Sequence, residues 1–312
     1  MRHFYFLILL LLLPHLIVKC NTVGDSVIFA DFTDKYQFIM TDFNFNEVAG
    51  MGAIDTGHSN EIVIDSTFFF EKILPTGKFQ YSPPPFKMYY WRAYYTGNLI
   101  VNFGKYQVNI SKFEVYNLKR LYEIPIFDAL MGEDVFENKI TIIDYDKNKI
   151  AFVDTLSIDN TYIALPMHTP RKSTQYNQKF IKIDGFKEKS GNTKSGFFLL
   201  DFGTSGGGII LKRDFAKDLS LDIKKADILP SFHNLYGKDY RWRVDSLKTG
   251  NLMLNNVPVR KTKYAGFDRL DALEGGDGLL GLALLKRFNM ILDYKNNILY
   301  IKPNKYFKDK NK

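Results

Sequence analysis

The run FFLLDFGTSGGGIIL, residues 197–211, sets an aspartate between an apolar strand and a glycine-rich turn. Phe197 to Leu200 are all apolar, and Gly203 stands two residues after Asp201. A carboxylate at the buried end of a strand is costly unless partners surround it, so its presence asks for a function. The following glycine permits a tight turn and lets main-chain N–H groups approach the carboxylate.

The same pattern occurs earlier in the chain. In MGAIDTGHSNEIVIDSTFF (51–69), Asp55 aligns with Asp201, Gly57 with Gly203, Ser59 with Ser205, the pair Val63 and Ile64 with Ile209 and Ile210, and Phe69 with Phe215. Further on, FDALMGEDVFENKITIIDYDKNKIAF (127–152) aligns without a gap on GDGLLGLALLKRFNMILDYKNNILYI (276–301). Asp128 meets Asp277, Gly132 meets Gly281, Asp144 meets Asp293 and Asn148 meets Asn297. Between these blocks YYWR, ending at Arg92, is matched with YRWR, ending at Arg243, which makes Trp91 and Trp242 equivalents. Three blocks in one order at nearly constant offset predict a tandem duplication. Both tryptophans are expected in core or lobe-interface packing.

Each copy reads as mostly β, in short apolar or alternating runs punctuated by Gly, Asn and Asp. LIVNFGKYQVNI (99–110) and NLMLNNVPVRK (251–261) predict hairpins that turn at Gly104-Lys105 and Asn255-Asn256. Short helices are expected at 66–74, at 212–219 and just before FENK (136–139) and KRFN (286–289). The copies divide near 153–166, giving one lobe over 21–155 and another over 156–312.

Residues 1–20 have the form of a secretory leader, a basic start and an apolar run of roughly a dozen residues that is short for a membrane span. Export is therefore expected, to the periplasm, the outer membrane or the medium. Cys20 is the only cysteine, so no disulfide forms within the chain. Two readings of it stay open: the acylated first residue of a lipoprotein, which the preceding Lys19 does not suit, or a cysteine beside an ordinary cleavage site. The net charge of +8 is scattered, with one dense run in the tail KYFKDKNK (305–312). No basic stripe of the kind that binds nucleic acid is present. Aromatic residues, mostly Phe and Tyr, make up 15% of the chain, which suits strands.

The paired Asp-x-Gly loops, each followed some eighty residues on by two apolar residues and a glycine (LMG at 130–132, LLG at 279–281), resemble the retropepsin and pepsin group of aspartic peptidases. The C-terminal block 278–303 is most similar to bacterial retropepsin-like members, and the likeness covers about 30–303. It implies an all-β fold of two similar acid-protease β-barrel lobes in one chain, with a central cleft. It also implies an endopeptidase acting on peptide or protein as a monomer, with neither metal nor cofactor. Asp55 and Asp201 would form the catalytic pair. Thr56, Gly57, His58 and Ser59 would build one supporting loop, and Phe202, Gly203, Thr204 and Ser205 the other. The flaps are expected within 81–97 and 231–247.

Two residues depart from the family pattern. His58 stands where a small or hydroxyl residue usually bonds the aspartate, and its ring is expected to point outward. Phe202 replaces the hydroxyl residue that braces one loop on the other, so Thr56 is expected to lack one buried partner. These departures motivate an alternative, a catalytically degenerate relative that keeps the groove to bind peptide or another ligand. A purely structural envelope protein has less reason to keep two buried carboxylates. Asp128, Asp144, Asp277 and Asp293 are read as structural.

Overall fold

The computed structural model describes residues 27–34, 38–58, 62–82, 93–118, 127–169, 178–187, 191, 193–204, 208–219, 227–230, 238–261 and 274–307. The leader with Cys20, Ser59, Ser205, Trp91 and the tips of both expected flaps (83–92 and 231–237) lie outside the described residues.

After a two-residue strand β1 (Ala30–Asp31), the first half lays down β2 (Ile39–Phe45), β3 (Val48–Ile54), β4 (Ile62–Asp65), β5 (Phe79–Ser82), β6 (Ala93–Phe103), β7 (Tyr106–Tyr116) and β8 (Ala129–Met131). β9 (Ile140–Asp144), β10 (Lys149–Val153) and β11 (Ile163–His168) follow. The second half lays down β12 (Phe180–Lys187), β13 (Thr193–Asp201), β14 (Ile209–Leu211), β15 (Asp227–Pro230), β16 (Lys238–Thr249), β17 (Leu252–Lys261) and β18 (Gly278–Gly281). β19 (Phe288–Asp293) and β20 (Ile298–Pro303) end the fold.

The molecule is all-β, built on two closed six-stranded barrels. The first runs β2-β3-β8-β4-β7-β6 and closes through β2 on β6; the second runs β12-β13-β18-β14-β17-β16 and closes through β12 on β16. The order repeats strand for strand, and β5 and β15 each extend their barrel as the outer partner of a hairpin. The strands follow the two-residue period of a half-buried sheet. In β2, Thr41, Phe43 and Phe45 point inward while Asp42 and Asn44 face solvent. β8 and β18 are buried throughout, since strands press on them from both edges.

A six-stranded antiparallel sheet, β1-β10-β9-β19-β20-β11, joins the halves. At its centre Ile142 pairs with Ile291, its own counterpart 149 positions later, so the pseudo-twofold axis passes between them. The two outer turns of this sheet also match, with Asn148 at φ 54° and Asn297 at φ 53°. One continuous apolar core runs from the first barrel, through this sheet, into the second.

The helical turns fall where the sequence places them: Ser66–Phe68 leading into Phe69–Ile73, Glu133–Val135, Arg213–Asp218 and Leu282–Leu285. Two sequence matches shift. β4 pairs Val63 with Leu130, while β14 pairs Ile210 with Leu279, so Val63 corresponds to Ile210 rather than Ile209. The second Asp-x-Gly loop is one residue longer than the first, with nine positions from Asp201 to Ile210 against eight from Asp55 to Val63. The shift carries onward: the Phe68 ring sits against Gly50 as the Phe215 ring sits against Gly196, so Phe68 and not Phe69 is the counterpart of Phe215.

The hairpin match shifts as well. β6 and β7 turn at Gly104-Lys105 as expected, but β16 and β17 turn at Gly250-Asn251, with Thr249 facing Leu252. Gly104 and Gly250 take the same left-handed conformation, at φ 56° and 53°. With these turns equivalent, Trp91 and Trp242 are not, because they precede their turns by 13 and 8 residues. Trp242 lies in the second barrel's core. Asn255-Asn256 sit inside β17, where the buried alternation changes phase between Leu254 and Val257.

Candidate active site

β3 and β13 each run parallel to the short apolar strand of their own copy, β8 and β18. That pairing, with β4 and β14 on the other side of β8 and β18, ends β3 just before Asp55 and β13 on Asp201. Asp128 and Asp277 set the register. The Asp128 carboxylate accepts from the Met51 N–H at 2.9 Å, and the Asp277 carboxylate from the Phe197 N–H at 2.9 Å. Asp144 and Asp293 likewise accept N–H groups of their own turns, at Lys147 and Asn296. All four are structural.

The two loops carry one hydrogen-bond pattern. Asp55 Oδ1 accepts from the N–H groups of Gly57 (3.0 Å) and His58 (3.1 Å). Asp201 Oδ1 accepts from those of Gly203 (2.8 Å) and Thr204 (3.0 Å). The loops are then tied to the next segment alike, by Glu133 N–H on the His58 carbonyl and Leu282 N–H on the Thr204 carbonyl. The glycines are crossed. A Cβ on Gly57 would lie 2.5 Å from the Asp201 carboxyl carbon, and one on Gly203 would lie 2.2 Å from that of Asp55. Each carboxyl group thus rests on the other copy's glycine, and any side chain there would expel it.

Each carboxyl group acts on the ionisation of the other. Burial pushes Asp55 well above its ordinary value, and the neighbouring charge of Asp201 adds to this. Asp201 is also raised by burial, but the Thr204 hydroxyl and the N–H groups of Gly203 and Thr204 pull back toward the ionised form. Thr204 Oγ1 donates to Asp201 Oδ2 at 2.5 Å. The proton of the pair therefore rests on Asp55 and the charge on Asp201, although titration belongs to the pair as a whole.

Between the loops, Thr56 Oγ1 donates to the Leu200 carbonyl at 2.7 Å and accepts from the Phe202 N–H at 3.1 Å. Thr56 is fully buried and both bonds go to main chain. The expected loss of a partner at Thr56 does not occur, because its hydroxyl needs Phe202's backbone and not its side chain. The Phe202 ring instead fills the apolar core. The outward ring expected of His58 is also corrected: its Nε2 is buried.

Sequence reasoning missed Gln178. This buried residue precedes β12, and its Nε2 donates to the Gly57 carbonyl at 2.6 Å, from one half of the chain to the other's Asp-x-Gly loop. No motif signals it. Among the described residues no cluster of His, Cys, Asp and Glu is grouped to hold a metal ion. No family model matches the chain, and no curated protein matches it either.

Proposed function

We propose that the chain is an exported aspartic-type endopeptidase whose two barrels are acid-protease lobes meeting at a substrate cleft. The observation that carries this reading is the pair of carboxyl groups, one from each half, each packed against the other half's glycine and each acting on the other's ionisation. Two carboxyl groups this close cannot both ionise, so they share a proton over a wide pH range. A single buried aspartate would need no such partner.

In this mechanism Asp201 is the general base and takes a proton from a water held between the carboxyl groups. The water oxygen bonds to the scissile carbonyl carbon, and Asp55 gives its proton to the carbonyl oxygen. The tetrahedral adduct collapses as the C–N bond breaks. The proton on Asp201 goes to the leaving nitrogen, and the proton on the adduct oxygen returns to Asp55. One water and one peptide bond give one acid and one amine, with no covalent intermediate. The leader (1–20) serves export in this reading, and the substrate is a peptide or unfolded protein.

The test is digestion of a denatured protein substrate across pH, with new termini read by mass spectrometry. Cleavage following a bell-shaped profile is expected. Its acid limb, where Asp201 gains a proton, should lie above the ordinary carboxylate value of 3.8, because burial raises Asp201. Absence of product at every pH would refute the reading, and peptide binding without cleavage would favour the degenerate binding protein instead.

A further inference from the structure

Thr204 reaches Asp201 directly with its hydroxyl, but the equivalent position in the first loop is His58. Asp55 Oδ1 is held there by main-chain N–H groups of Gly57 and His58. The Gly57 carbonyl and the His58 N–H belong to one peptide unit. Gln178 Nε2 donates to that carbonyl at 2.6 Å, and the N–H of the same unit donates to Asp55 at 3.1 Å. The three groups form a chain from Gln178, through a peptide, to the carboxyl group. Linked hydrogen bonds polarise one another, so a donor on the carbonyl strengthens the N–H as a donor on the far side.

We propose that Gln178 is a positioning residue for Asp55, which it orients through the Gly57–His58 peptide and so takes the place of the hydroxyl that Thr204 supplies in the second loop and His58 does not in the first. Three features fit. Gln178 is 2% exposed, so its amide is committed to this contact and not to solvent. The bond crosses from the second half of the chain to the first, opposite in direction to the Thr56 hydroxyl bond on the Leu200 carbonyl. Phe202 has no hydroxyl to make a reciprocal bond of its own, so Gln178 also completes the two-way brace between the halves. Gln178 touches neither substrate nor proton, and its effect runs through the geometry of Asp55.

This inference rests on the peptidase reading for its kinetic readout and is independent of it for its spectroscopic one. The probe is carbon-13 NMR titration of the aspartate carboxyl groups in the full chain, for wild type and Gln178→Met, which keeps the volume and removes the donor. The upper ionisation of the pair should move to higher pH in the variant, since a weakened N–H no longer favours the charged form. If wild type cleaves peptide, kcat should fall about tenfold with KM within about twofold, as expected for an interaction that orients a reacting group. His58→Ser in the Gln178→Met background supplies a hydroxyl beside Asp55 and should restore the titration and most of kcat. Should Gln178→Met fail to fold, Gln178→Asn, one methylene too short to reach Gly57, carries the same expectations. A variant that folds and titrates as wild type overturns the proposal, and so does a shift that His58→Ser leaves uncorrected. If wild type proves inactive, the titration still decides the role of Gln178, while the loss of activity falls on the peptidase reading alone.

Discussion

Asp55 and Asp201 have matching hydrogen bonds to main chain but unequal surroundings, and the inequality assigns their protonation. A short hydroxyl bond on Asp201 favours charge there, while Asp55 meets burial and a charged neighbour. The same asymmetry has a consequence for stability. Asp55 holds its proton in the folded state above its ordinary value of 3.8, so its contribution is most favourable below that pH, where folded and unfolded chains are both protonated. As pH rises, the unfolded chain ionises first, and the contribution is lost as the folded-state value is approached. Asp55→Asn removes this dependence. It should therefore raise the melting temperature relative to wild type at about pH 7 and leave it nearly unchanged below about pH 4, measured by thermal unfolding at both. Equal shifts at both pH values would mean that Asp55 is not buried as a proton-holding acid.

At the scale of elements, the duplication was legible because Asp-x-Gly loops, apolar strands and their Asp register anchors recur in order. Asp55 and Asp201 could be found from that recurrence alone. What escaped was whatever the two copies do differently. The extra residue between Asp201 and Ile210 moved the β4 and β14 match by one position, and the run of glycines there in the sequence has no side chains to mark it. Gln178 escaped because its role arises from contact with a loop 121 residues away and not from spacing. Asn255-Asn256 misled through correct chemistry in another place. Asn256 takes φ 51°, the conformation a tight turn would use, but spends it inside β17 where the inward face changes from Leu254 to Val257. A β-branched residue resists that conformation, at about 1–2 kcal/mol. Asn256→Val should lower stability in chemical denaturation by about that amount, and Asn256→Gly should leave it within about 0.5 kcal/mol. If Val is tolerated as well as Gly, the left-handed kink is not required by the barrel.

The molecule as a whole is two barrels on a shared antiparallel sheet, with Ile142 and Ile291 at its axis and one core through all three parts. Neither barrel holds a pair of carboxyl groups by itself. The site exists only where β3 and β13 end face to face, with Thr56 and Gln178 tying the loops in opposite directions. This explains why Phe202, which breaks the pattern of hydroxyl braces, leaves the arrangement intact: its backbone serves Thr56 and its ring serves the core. In the proposed peptidase, catalysis needs both halves to contribute a carboxyl group. Cleavage of a denatured protein at the pH optimum should be compared for wild type, Asp55→Asn and Asp201→Asn, each shown to be folded by circular dichroism. Wild type is expected to cleave and each single variant to lose at least about a hundredfold in kcat/KM, the scale of a lost general acid or base. Cleavage at the wild-type rate by a folded Asp201→Asn variant would contradict the peptidase reading.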